Sequence, residues 1–208
     1  MISKAGKIII AALILFFMIL GAGLYRLQDL NYKKAADILA QQAVAPVGAA
    51  PKFPAPDLDR PINITAKLSE ESAGKAREYI IASENALKAD PDIYEDWLNL
   101  ALYRKLIGDY EAAREIWEYL TKIRPFAAVS YHNLGNLYAY ELNEPDKAEP
   151  YYLKAIELEP SGIQWYLSAA DYYRYFKKDI TKAKDILRQG IAANPGIAEP
   201  LAQTLNSF

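Results

Sequence analysis

His132 is the only histidine in the chain, and there is no cysteine. A Ser-His-Asp relay or a zinc site would therefore have to be built on His132, since nothing else supplies an imidazole or a thiolate. Its neighbourhood, Ser130-Tyr131-His132-Asn133-Leu134-Gly135, contains no HxxE or HExxH spacing, so no second ligand or base stands on the same helix face. No Gly-rich loop is present to cradle a phosphate; the close-set Gly21 and Gly23 lie in an apolar run. Acid pairs such as Glu70-Glu71 and Glu157 with Glu159 fall at helix ends or on solvated faces. The residue types supply no catalytic set and no metal site, so the sequence reads as a non-enzyme with no cofactor. Without cysteine there is no disulfide framework either. The formal net charge of −2 hides an asymmetry, because residues 1–34 carry five Lys or Arg against one Asp and the rest is acidic. An acidic body argues against a nucleic-acid surface.

What the sequence does organise is a repeated pair of helices. Residues 94–127 read as two short helices joined by Gly108-Asp109, and the pattern returns over 128–162 and 163–197. Trp97 recurs as Tyr131 and Tyr166, Leu100 as Leu134 and Ala169, Ala101 as Gly135 and Ala170, Ala113 as Ala148 and Ala183, Trp117 as Tyr152 and Leu187, and Pro125 as Pro160 and Pro195. A fixed period of this size is the mark of a solenoid. The aromatics face the partner helix, the small residues admit a neighbouring backbone, and the prolines end each second helix. One hairpin cannot bury its apolar face alone, whereas a stack of three can. The second and third copies carry one extra residue, placed in the inner turn between Leu142 and Asp146 and between Phe176 and Ile180. Pro145 suits a first helical turn, and Pro150, further in, should kink its helix.

These columns resemble the tetratricopeptide repeat family, which has a large residue at position 4, Leu-Gly at 7 and 8, Tyr at 11, Ala at 20, an aromatic at 24 and Pro at 32. The middle copy, YHNLGNLYAY…KAEPYYLKAIELEP, is nearest to that pattern. The first copy departs from it with Arg104 at position 11 and Leu120 at position 27. The resemblance implies an all-α fold, a right-handed α-solenoid, and a scaffold that binds a protein or peptide partner in a concave groove. It does not name the partner, since function sits in a site and not in a fold.

In that family positions 2, 5, 9, 12 and 13 generally face the groove. Here they hold Glu95, Leu98, Leu102, Lys105 and Leu106, then Val129, His132, Asn136, Ala139 and Tyr140, then Gln164, Leu167, Asp171, Arg174 and Tyr175. The branch that grips the C-terminal carboxylate of chaperone tails uses Lys and Asn at positions 5 and 9 of its first repeat. Leu98 and Leu102 stand there in this chain, so that ligand is rejected. The lining is apolar at one end and polar-aromatic at the other, which suits a peptide with apolar side chains. Leu98, Leu102 and Leu167 are equally readable as ordinary packing.

The flanks complete the organisation. After a short tail (1–7), residues 8–25 are eighteen residues without charge, long enough for roughly 27 Å of helix against a bilayer core of about 30 Å. This predicts a single transmembrane helix in contact with the lipid bilayer. A cleaved signal ending at Gly23 is the other reading, disfavoured by the length of the apolar run. Lys4 and Lys7 with no nearby acid favour an N-terminus on the cytoplasmic side, which places the repeats outside the cytoplasm in a single-pass membrane protein. Residues 26–44 read as a juxtamembrane helix and 45–66, with five prolines, as an extended linker without a core-forming pattern. Residues 67–208 form the repeat domain, with a capping helix over 69–89 started by Ser69 and a C-terminal half-repeat over 198–208. A half-repeat ending on Phe208 leaves apolar surface for a partner or a second copy. That gives the alternative reading, a self-assembling structural component of the cell envelope and so a homo-oligomer.

Overall fold

The proline that ends each second helix also fastens the first helix of the next pair. In the computed structural model, which describes residues 53–208, the Pro91 carbonyl accepts from Trp97 Nε1 at 2.9 Å, that of Pro125 from the Tyr131 hydroxyl at 3.2 Å, and that of Pro160 from the Tyr166 hydroxyl at 3.1 Å. The same bond is thus made three times, once per repeat, by the large residue at position 4. It supplies a partner for the polar end of a ring whose apolar body is in the core.

The described elements are helical. A lone helix α1 (Glu70–Ala89) is followed by the pairs α2 (Tyr94–Leu106) and α3 (Tyr110–Ile123), α4 (Ala128–Asn136) and α5 (Glu149–Leu158), α6 (Ile163–Tyr172) and α7 (Ile180–Ala193), and then α8 (Glu199–Asn206). Packing follows chain order, each helix against the next. Ser69, Asp109 and Asp179 cap α1, α3 and α7 by accepting the amide three residues on, which satisfies one of the donors a helix start leaves open. The core runs continuously through the stack on Trp97, Leu100, Trp117, Leu134, Tyr152, Tyr166, Leu187 and Leu201. At Gly135 an added Cβ would sit 3.0 Å from the Tyr152 ring, so the small residue at position 8 is there for close approach.

The extra residue of the second and third copies lies earlier than the sequence suggests. It is absorbed as a π turn ending the first helix, Leu137–Glu141 after α4 and Tyr173–Lys177 after α6. In the first repeat the Asp109 amide reaches back to the Arg104 carbonyl, whereas the Glu144 and Asp179 amides reach one residue further, to Tyr138 and Tyr173. Gly108, Asn143 and Lys178 then take the left-handed conformation at matching places, the usual way to end a helix and free its last carbonyls for the turn. Pro150 does not kink a helix. A 3-10 turn over Pro145–Lys147 takes up the break, and α5 starts at Glu149 with Pro150 in its first turn, where a missing amide leaves no intrahelical bond unmade.

Part of the stretch read as linker is built into the fold. From Pro56 to Leu68 alternate residues turn inward, and Phe53, Leu58, Ile62, Ile64 and Leu68 pack on the core. The amides of Thr65 and Ala66 donate to the Ile107 carbonyl at 2.9 and 3.1 Å. The face of α1 is correspondingly turned: Ile80, Glu84 and Leu87 are buried, while Tyr79 is exposed and stacks on Tyr103 at 4.6 Å. The expected tail (1–7), membrane helix (8–25), juxtamembrane helix (26–44) and start of the linker lie outside the described residues. Among the described residues no helix is long and apolar enough to cross a membrane.

Candidate functional site

The first helices of the three pairs lie side by side, and side-chain bonds tie them. Tyr94 to Ser130 (3.1 Å) and Lys105 to Glu141 (3.3 Å) join α2 to the α4 segment, and His132 to Ser168 (2.8 Å) joins α4 to α6. Tyr140 packs edge-on against Phe176 at 4.8 Å in the same seam. This row carries every residue predicted to line the groove.

The predicted residues divide into two kinds. Leu102, Leu106, Tyr140 and Tyr175 are exposed, at 52%, 44%, 51% and 53% of their surface. Leu106, Tyr140 and Tyr175 occupy position 13 of successive repeats, and Leu102 lies one turn before Leu106, so together they run along the row. Four large apolar side chains left in water on one face mark an interaction surface more than scattered single ones would. Leu98 and Leu167 are half-buried and pack on the core. Lys105 is held by Glu141. Arg174 lies over the Tyr175 ring at 5.3 Å and the Phe208 ring at 4.3 Å, so Phe208 is covered on one face by a guanidinium. Burial pushes the Asp171 carboxyl above its usual range, and the Arg174 charge offsets part of that.

His132 and Asn136 belong to an internal network. The Tyr152 hydroxyl donates to Asn136 Oδ1 at 2.8 Å, so Asn136 turns its amide nitrogen to His132 Nε2 at 3.2 Å. Ser168 Oγ lies 2.8 Å from the same Nε2, so this ring nitrogen joins α4 to α6. Trp165 packs at 4.7 Å from the imidazole. Burial first, with a smaller effect from the Lys105 charge and against a side-chain bond to Asn133, lowers its pKa to about 4. His132 is a neutral imidazole at pH 7, fixed between two repeats. No group of three or more His, Asp or Glu among the described residues is placed to hold a metal.

Arg104 is the residue whose role the sequence left open. It is 1% exposed. Nη2 donates to Glu84 Oε1 and to the Arg60 carbonyl, both at 2.6 Å, and Nη1 to the Pro61 carbonyl at 2.9 Å and to Asp109 Oδ2 at 3.2 Å. The remaining Asp109 oxygen caps α3. Arg60 adds bonds to Asp109 and Glu115, and Lys88 bonds Asp59 at 2.6 Å. Burial raises the Glu84 carboxyl, against the bond from Arg104. A guanidinium with five donors in a fixed fork can satisfy two carboxylates and two carbonyls at once, which a tyrosine at position 11 could not. The cue in the sequence was the charge at a core position together with the period-two alternation of residues 56–68.

Residues 128–161, the stretch from α4 through α5, match the family model of the tetratricopeptide repeat. No curated protein sequence matches the chain. Among solved structures, the crystal structure of MamA is similar with a TM-score of 0.42 and 19% sequence identity, over 61% of this chain and 96% of that one. The middle of this helix–turn–helix array, residues 128–161, is thus a tetratricopeptide repeat.

Proposed function

We propose that the chain is a membrane-anchored scaffold for protein–protein interaction, whose row of first helices binds an apolar segment of a partner. The repeat match supports the scaffold. The observation that carries the peptide reading is the exposed row of Leu102, Leu106, Tyr140 and Tyr175. Leucines supply apolar area, and the tyrosines supply area with a hydroxyl at low entropic cost. The basic members of the row, Lys105 and Arg174, are already engaged, so selectivity for an acidic tail is weak here. The uncharged run 8–25 supports the anchor, and the basic flank before it supports repeats lying outside the cytoplasm.

The test uses the exposed members only, because His132 and Asn136 hold the fold. The full chain carrying Leu102→Ser, Tyr140→Ser and Tyr175→Ser keeps its helical content by circular dichroism and loses the partners that the unaltered chain retains from a membrane extract. Unchanged capture by this variant rules out the row as the binding surface. Protease digestion of intact cells and of opened ones reads the sidedness: repeats cut only after opening would place them in the cytoplasm.

A further inference from the structure

A second surface lies on another face of α4. Tyr131, Lys147, Pro150, Tyr151 and Lys154 line an open cleft of about 560 Å³, within the size of ligand sites. Tyr131 and Tyr138 stand seven residues apart on the α4 segment, turned away from His132, Asn136 and Tyr140. The cleft is held from behind. Tyr151 stacks on Tyr138 at 5.4 Å, the Tyr138 hydroxyl donates to Glu118 at 3.1 Å, and Arg114 grips both oxygens of Glu118 at 3.0 Å. The floor is therefore two fixed tyrosine rings and a proline, and the rim carries two lysines.

The chain itself already seats one extended segment on its helices. Residues 56–68 lie along α1 and the start of α3 as an extended segment, with Leu58, Ile62 and Ile64 inward and Asp59 on Lys88. Arg60 of that segment meets Glu115, on one edge of the solvent face of α3, whereas Arg114 and Glu118, behind the cleft, form the other edge. We propose that the cleft binds an extended segment of another protein in which carboxylates alternate with bulky apolar residues. An apolar side chain settles on Tyr131, Pro150 and Tyr151, and the carboxylates meet Lys147 and Lys154. The two lysines are seven residues apart, Lys147 at the end of the 3-10 turn and Lys154 in α5, and their long flexible stems reach carboxylates two or four residues apart on an extended chain, about 7 or 13 Å. Their present partners, Glu144 and Glu157, are each three residues away in the chain with solvent-accessible carboxylates, pairs that exchange at little cost.

The probe is a fluorescein-labelled peptide, Gly-Asp-Leu-Asp-Phe-Asp-Gly, titrated against the full chain in detergent micelles and read by anisotropy. Saturable binding is expected, weakened at least tenfold by Lys147→Glu with Lys154→Glu, weakened by added salt, and unchanged by the Leu102→Ser, Tyr140→Ser, Tyr175→Ser variant. A peptide with Lys in place of each Asp should not bind. Lys147 is exposed and Lys154 half-exposed, with no buried partner, so the variant keeps its helical content, and Tyr151→Leu gives an independent loss. Absence of saturable binding, equal binding by the Lys→Glu variant, or loss of binding in the groove variant each overturns the assignment.

Discussion

His132 makes stability depend on pH in a way that can be worked through. Burial lowers its pKa from 6.5 to about 4 in the folded chain. Above pH 6.5 the imidazole is neutral both folded and unfolded and contributes no slope. Between 6.5 and 4 only the unfolded chain takes up the proton, so folding weakens as pH falls, and below 4 both states are charged and the slope ends. Across the whole window the loss is about 3 kcal/mol, and at pH 5 it is about 2 kcal/mol relative to pH 7.5. Other groups titrate in the same range, and burial pushes Glu84 and Asp171 the opposite way. The comparison that isolates His132 is therefore the difference between the unaltered chain and His132→Gln. Urea unfolding of each at pH 7.5 and pH 5, followed by tryptophan fluorescence, gives that difference directly. Trp165, 4.7 Å from the imidazole, reports the site itself. His132→Gln should lower stability at pH 7.5 by breaking the network with Ser168 and Asn136, yet lose about 2 kcal/mol less than the unaltered chain on going to pH 5. Parallel losses in the two proteins would refute the assignment of a half-buried, neutral imidazole.

Three further perturbations test the packing. Arg104→Met should cost about 3–5 kcal/mol in urea unfolding, because it strands a buried Glu84, and adding Glu84→Met should recover much of that; a single-variant loss below about 1 kcal/mol would mean the clamp is not intact in solution. Gly108→Ala places a side chain at φ 84°, with its Cβ 2.3 Å from Thr65 Oγ1. It should destabilise by about 1–2 kcal/mol and speed protease cleavage within residues 53–66. Trp117→Ala removes a side chain 1% exposed at the centre of α3 and should cost about 3–5 kcal/mol, measured the same way.

The repeats were legible because their packing is repeated: the same need for a large ring, a small residue and a terminating proline recurs in Trp97, Tyr131 and Tyr166, in Ala101, Gly135 and Ala170, and in Pro125, Pro160 and Pro195. What stayed hidden depends on partners distant along the chain. The segment 56–68 alternates inward and outward, yet its prolines also fit a free linker, and the binding surface for it is made by residues up to Glu115. Arg104 stood out as a departure, but its role rests on Glu84, Asp109 and two carbonyls of residues 60 and 61. His132 stands at position 5, generally a groove position; that Ser168 of the third repeat and, through Asn136, Tyr152 of the second helix close a network around it could not be read from the spacing. The position of the extra residue could not be read either, since a π turn and a longer loop have the same length in sequence.

The guanidinium of Arg104 also decides which parts of this array are interchangeable. Repeats two and three close on bonds they make themselves or with a neighbour of the same kind, as Tyr131 and Tyr166 do with the preceding prolines. Either could be duplicated, or grafted into another array, without stranding a buried charge. The first repeat has given up that portability. Beyond Asp109 of its own repeat, its core cation is paired with Glu84 of the capping helix and bonded to the backbone of residues 60 and 61. A recombination that moved residues 94–127 alone would leave the buried Arg104 with Asp109 but without its other three partners. Residues 56–127 are therefore the unit of inheritance at this end of the array, roughly two repeats long, and duplication by single repeats is open only beyond it.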